Sequence, residues 1–440
     1  MIHKTIKLSC LALALLLPGM LYAQNVKKLT IQEAIQLGIE NSKNLKLSQN
    51  KIDQALSQLE IVKDNALPTA NVNLIYNHAE IPTNKLIIGD ADAINLPKRA
   101  NAYLATAAVE QLVYGGGKLK YARESTKLLS DVARLDAEKS SEEVSFAVID
   151  TYYALYKVAQ SKKVVEQNLA AIASQLKQAQ RFFDQGIVTK NDVLRFQLQQ
   201  ANITLTQLEI ESNRKIVNYN LDILLGLPED TAIEITDPTT DAMAVTPLNT
   251  YMDMALANRQ ELRELDLRNK VAETDIKSVK ANSLPTVGVG ANVYYINPSG
   301  DFIPPNHQYI VPMTLGATVS WNIGTLWTNK NKVNDARIQQ KNVVIQKEIQ
   351  NDRVKTEINK NYQDYQVAVS KIKILETSIA QASENDRLLE SKYKNNVASA
   401  IDRIDAETLL YQSKINLEIA KADAGLAYYT LLKSTGKISQ

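Results

Sequence analysis

The chain has 440 residues, with 50 basic and 48 acidic side chains, a formal net charge of +2 and a single cysteine, Cys10. That balance leaves no electrostatic footprint for nucleic acid, and one cysteine allows no internal disulfide. The length suggests two or three ordinary domains, yet no linker, low-complexity tract or charge block divides the sequence.

Lys4 and Lys7 precede an apolar run over 8–17, and Leu21-Tyr22-Ala23 follows, which is the pattern of a secretory leader cut after Ala23. Cys10 lies within the segment to be removed, and Lys7 three positions before it does not suit a lipoprotein site. Taking Lys4 and Lys7 from the 50 bases leaves 48 against 48 acids.

Proline then organises the chain. None occurs between Pro97 and Pro228 or after Pro312, so two long helical tracts are each preceded by a proline-containing region. The halves repeat. Asn41 to Leu45 with Leu67-Pro68-Thr69 match Asn258 to Leu262 with Leu284-Pro285-Thr286 at an offset of 217. Tyr152, Phe183, Gly186, Asp192 and Gly226 match Tyr362, Tyr393, Asn396, Asp402 and Gly436 at an offset of 210. The expected segments are a leader over 1–23, a first repeat over 24–227, an equatorial connection over 228–247 and a second repeat over 248–440.

Each repeat reads helix, strand, loop, strand, long helix, tip, returning helix. In the first, 30–65 is helical with Ile31, Ile35 and Ile39 on one face, and Leu67-Pro68 ends it. Val72, Leu74 and Tyr76 alternate with Asn71, Asn73 and Asn77, predicting a strand over about 70–77; its partner spans about 101–113. The second repeat predicts strands over about 286–296 and 309–322, with regular pairing beginning after Pro312. Alternating strands of about nine to thirteen residues suit a membrane β-barrel, and no apolar run after the leader is long enough for a membrane helix. Four strands close no barrel, and lipid tolerates no open edge, so the barrel is expected to be shared between chains.

The tract 118–185 is about 100 Å long at about 1.5 Å per residue, and 189–225 and 30–65 are each about half of that. Two short helices stacked end to end therefore match one long one. Leu169, Ile172, Leu176, Ala179 and Phe183 step by threes and fours, as do Leu194, Leu198, Ala201, Leu205 and Leu208, for lateral coiled-coil packing. Gly186 marks the tip where the first pair of helices reverses, with a second tip near Asn396. Thr189 with Asp192, and Ser399 with Asp402, have capping-box spacing.

These features together resemble the TolC family of outer-membrane efflux proteins over nearly the whole chain after the leader. The likeness is carried by the duplicated plan, the Leu-Pro-Thr switches, Gln111-Leu112-Val113-Tyr114-Gly115-Gly116 before the long helix, and Arg181-Phe182-Phe183 with Gly186 and Asp192-Val193-Leu194. The resemblance implies a mainly α fold with a membrane β-barrel. In that plan a homotrimer shares a twelve-stranded barrel in outer-membrane lipid, continued by a twelve-helix periplasmic tube with a lumen of roughly 25 Å. It also implies a passive exit duct that works with an inner-membrane pump and a periplasmic adaptor, the membrane fusion protein. Matching residue by residue puts gate carboxylates on Asp402 and Asp405, with Tyr393 and Asp192 in the neighbouring constraint network. Adaptor docking falls on the tip residues Arg181, Gly186, Thr189, Asn396 and Ser399.

A capping role accounts for Asp192 and Asp402 equally well. Asp405 has no capping role, and the first repeat has Arg195 in its place. Where the family has an arginine two residues after the second tip's glycine, this chain has Ala398, leaving Arg403 or Arg387 as candidate replacements. In a trimer the two aspartates would ring the axis, favour cations and raise one another's pKa values.

Enzyme chemistry is not expected. Gly115-Gly116-Gly117-Lys118 departs from a phosphate loop, with Leu112 where the first glycine belongs and Leu119 in place of Ser or Thr. His78 and His307 lack metal-ligand spacing and fall in loops between strands, so neither cofactor nor metal is expected. The alternatives are a type I protein-secretion duct and, in a different class, a soluble periplasmic coiled-coil scaffold or adaptor. An adaptor has one helical hairpin and a separate sheet domain, whereas two hairpins are expected here.

Overall fold

The computed structural model describes residues 26–83, 85–87, 89–90, 92–95, 98–229, 231–238, 246–298 and 309–438. The expected leader, Cys10 and His307 lie outside them. In chain order the first half comprises β1 (Val26–Leu29), α1 (Ile31–Asn41), α2 (Lys43–Asp64), β2 (Thr69–Glu80), β3 (Lys85–Leu86), β4 (Ile94–Asn95), β5 (Arg99–Tyr114), α3 (Lys118–Asp184) and α4 (Lys190–Leu225). The second comprises β6 (Ala232–Ile235), α5 (Leu248–Asn258), α6 (Gln260–Ala281), β7 (Thr286–Pro298), β8 (Met313–Ser320), α7 (Thr325–Lys394) and α8 (Ala400–Ser434).

One compact unit is made of residues 46–139 and 258–353. Its centre is an antiparallel sheet in the order β2-β5-β7-β8. Directly opposed residues share a face, so the register can be read across the strands. Val72 faces Ala107, which faces Val293, which faces Met313. The neighbouring row is Ala70, Val109, Ala291 and Leu315. The opposite face carries Asn71, Ala108, Asn292 and Thr314. One face is thus a continuous apolar surface, and within the chain it is bare: Val72 is 80%, Leu74 75%, Met313 75% and Leu315 87% exposed. The strand ends are tied to helix ends, with Gln111 Nε2 donating to Ala66 O at 2.8 Å and Trp321 Nε1 to Ser283 O at 3.1 Å.

The other unit holds the residues up to 45, 140–257 and those from 354 onward. Its main core gathers Ile149, Tyr152, Leu155, Leu221 and Leu225 around Leu29, Ile31 and Ile233. β1 and β6 pair in parallel, and the Tyr152 hydroxyl lies 3.0 Å from Leu29 O and 2.7 Å from Thr236 O. Neither strand carries a sequence signal beyond four residues, and β6 lies in the equatorial connection.

The expected helix over 30–65 is two helices, because Ser42 adopts an extended backbone and its Oγ accepts from Leu45 N at 3.2 Å. Serine there offers the backbone an alternative to the helical bond. Arg259, its equivalent at the offset of 217, parts α5 from α6 in the same way, with φ −56 and ψ 123. The last strand begins at Met313, and upstream only Ile310 bridges to Ile296. Proline has no N–H for the ladder, although the Pro312 carbonyl accepts from Tyr294 N at 3.0 Å.

Gly425 marks a close approach of α8 to Tyr153. A Cβ there would lie 2.4 Å from the Tyr153 ring, which is buried and packs on Tyr429. Gly425→Ala is expected to cost about 1–3 kcal/mol through overpacking. An unchanged unfolding midpoint in denaturant would contradict this.

Candidate functional site

The two hairpin tips are built alike. After α3 the chain turns through Gly186 at φ +75, with Gly186 N donating to Phe183 O at 2.9 Å and Ile187 N to Phe182 O at 2.8 Å. After α7 it turns through Asn396 at φ +60, with Asn396 N donating to Tyr393 O at 3.0 Å and Val397 N to Lys392 O at 2.8 Å. This is the left-handed region, which glycine enters freely and asparagine more readily than most. Each tip then opens a helix with a reciprocal cap. Asp192 N donates to Thr189 Oγ1 and Thr189 N to Asp192 Oδ2; Asp402 N donates to Ser399 Oγ and Ser399 N to Asp402 Oδ2.

An aromatic cluster joins the hairpins beneath the tips. Tyr393 sits 6.1 Å from Phe182 and 5.8 Å from Phe196 between ring centroids, among Ile172, Ala179 and Val193. Burial pushes the Tyr393 hydroxyl pKa up, and the Asp192 charge adds to this. That hydroxyl has no hydrogen-bond partner among the described residues, and the Thr189 cap uses Asp192 Oδ2. Asp192 and Tyr393 are therefore neighbours without a direct bond.

Asp402 and Asp405 both lie exposed near the start of α8. Hydrogen bonds from the side chain and backbone of Ser399 hold Asp402 below the usual carboxylate range. Arg181, Gly186, Thr189, Asn396 and Ser399 are also exposed. The two candidate arginines are engaged within the second hairpin: Arg403 pairs with Asp386, and Arg387 with Glu384 at 2.7 Å. Direct polar bonds between the hairpins include Gln199 Nε2 to Thr408 Oγ1 at 3.3 Å and the Lys157–Asp423 ion pair at 2.6 Å.

Apart from Tyr393 and Arg403, the sequence reading did not single out the interior of this region. A cleft of about 390 Å³ lies between α3 and the second hairpin, and Gln175, Asp386, Glu390, Arg403 and Glu407 line it. Arg403 is 5% and Glu407 8% exposed. The available signal was their spacing four apart on α8, which puts both on one face. Among the described residues no group of three His, Cys, Asp or Glu side chains is placed to hold a metal.

A sheet with one bare apolar face, joined in one chain to paired helical hairpins, fits the class of outer-membrane channel proteins. A sequence model of the outer membrane efflux protein family matches residues 34–227 and 251–437, and the chain belongs to that family. Its place is the outer membrane, with the helical part in the periplasm. The alkaline protease secretion protein AprF of Pseudomonas aeruginosa is 23% identical over 363 residues, covering 77% of this chain and 71% of AprF. Two solved structures share the fold. VceC of Vibrio cholerae has a TM-score of 0.75 at 14% identity, covering 93% of this chain and 97% of that one. The CmeC outer membrane channel of Campylobacter jejuni has a TM-score of 0.75 at 13% identity, covering 93% and 87%.

Thr189→Ala and Ser399→Ala are each expected to cost about 1 kcal/mol at the first turn of α4 or α8. Faster amide exchange confined to that turn is the measurement, and unchanged exchange would contradict the caps. Because the Asp402 pKa is depressed, its contribution is present above the ordinary aspartate value and is lost as pH falls through the lowered one. Acid should therefore loosen the start of α8.

Proposed function

We propose that this protein is one third of a passive exit duct, gated at the hairpin tips, that carries cargo across the outer membrane for an inner-membrane pump. The observation that carries this reading is the four-stranded sheet with a bare apolar face and two unpaired edges. Three copies would contribute twelve strands to a closed barrel and twelve helical columns to a tube below it. The chain performs no chemistry in this scheme. Residues 1–23 act as the export leader, and 24–227 and 248–440 are duplicated units joined by 228–247.

The tips divide the remaining work. Arg181, Gly186, Thr189, Asn396 and Ser399 offer exposed backbone turns and caps to the helical hairpins of a periplasmic adaptor. Asp402 and Asp405, with Tyr393 and Asp192 beside them, form the gate, where carboxylates repeated around an axis favour cations. The capping bond of Asp402 is compatible with that role, since one carboxylate oxygen remains free to face the axis. Similarity to a protease secretion protein favours a second reading, in which the cargo is a secreted protein and the mechanics are unchanged.

Detergent extraction is expected to yield a heat-sensitive trimer band, and a monomer soluble without detergent would refute the duct. In planar bilayers, Asp402→Ala combined with Asp405→Ala should change cation selectivity or divalent block. Asp405→Ala alone should change it in the same direction with the α8 cap intact. Unchanged selectivity in both variants would remove the gate assignment.

A further inference from the structure

The polar face of the four-stranded sheet carries a single charge. In the row next to that of Asn71 and Asn292, Thr69 stands opposite Glu110, which stands opposite Gly290, which stands opposite Gly316. Glu110 is exposed, and among the described residues no other acidic or basic side chain shares this face of β2, β5, β7 and β8. The glycines keep its surroundings clear. A Cβ at Gly290 would lie 3.5 Å from Glu110 Cγ, and one at Gly316 would meet nothing within 4 Å. With no side chains beyond it on two strands, the carboxylate borders an open recess of about 500 Å³, lined also by Asn292, Thr314 and Thr318. Thr69 is the first residue of β2, and Gln111, next to Glu110, is bonded to Ala66 O at 2.8 Å. This row therefore lies at the end of the sheet that leads into the helices.

We infer that Glu110 is a specificity-determining residue of the duct, a fixed negative charge on the lumen wall that favours cations where the strands give way to the helices. The inference rests on the duct reading, because a barrel in lipid turns its apolar face outward and its polar face to the lumen, which puts Glu110 on the pore wall in every copy. It does not involve Asp402 or Asp405, which belong to a hairpin tip. Its size follows from geometry. Twelve strands about 4.8 Å apart and tilted by about 45° enclose a backbone radius of about 13 Å. The Debye length is about 10 Å at about 0.1 M salt and about 3 Å at about 1 M, so wall charges reach the axis in the first and are screened out in the second. Screened Coulomb attraction from three such charges gives about a twofold preference for a monovalent cation over an anion in the dilute salt, and almost none in the concentrated one.

Reversal potentials of the full-length protein in planar bilayers under a potassium chloride gradient read the effect. Near about 0.1 M, Glu110→Gln should lower the ratio of potassium to chloride permeability about twofold, and near about 1 M it should match wild type. The same fall is expected in the Asp402→Ala, Asp405→Ala background, since the charge acts on the wall and not through the tip. Glu110→Cys provides a second variant whose charge is set after folding. A sulfonate-bearing methanethiosulfonate should restore the wild-type ratio, and an ammonium-bearing one should push it below that of Glu110→Gln. Equal ratios in wild type, Glu110→Gln and both modified forms would overturn the inference and leave the duct standing, as would a fall that vanishes in the aspartate-free background. A wild-type protein that conducts no ions would overturn the duct reading and the inference with it.

Discussion

A β-sheet in hydrocarbon must pair every strand edge, because each unsatisfied backbone group there costs several kcal/mol. This chain supplies four strands in an open order, with β2 and β8 as its edges, and one of its faces carries apolar rows from Ala70 to Leu315 and from Val72 to Met313. On the proposed reading, those two facts make the single chain incomplete. They also set the purpose of the rest, since helices tied to the strand ends by Gln111 and Trp321 inherit whatever arrangement closes the sheet.

The two hairpins share one backbone solution and differ in what they bury. Gly186 and Asn396 make the same left-handed turn, and Thr189 and Ser399 make the same cap. The second hairpin alone carries a buried Arg403–Asp386 pair with Glu407 a turn away. A buried ion pair contributes little net stability after desolvation, so its value lies in specifying one packing and in responding when a charge changes. Duplication thus gives both tips one turn and cap, and puts the buried Arg403–Asp386 pair behind the second.

Much of this was legible because the signals were local and periodic. Alternation in 70–77 and 286–296, the absence of proline from the long helices, and the Thr189 and Ser399 caps each act within a few residues. What was not legible depends on residues far apart in sequence. β1 and β6 are four residues each and pair across more than half of the chain's first half, so neither has a period to read. Ser42 and Arg259 part their helices by a single extended residue within an otherwise helical pattern. The Lys157–Asp423 ion pair joins α3 to α8, and nothing near either residue announces the other. Tyr393 packs on Phe182 and Phe196 with its hydroxyl unpartnered, a placement set by contacts between hairpins and not by any local pattern.

The central claim is that the edges of β2 and β8 meet between copies of the chain. Introduced cysteine pairs test it most directly, with one partner at Asn71, Asn73 or Ile75 on β2 and the other at Thr314, Gly316 or Thr318 on β8, oxidised in outer membranes. Cys10, the one natural cysteine, lies in the segment proposed as the leader. The account predicts that at least one register gives covalently linked species ending at three chains. A sheet whose edges form no link between chains in any register would contradict it.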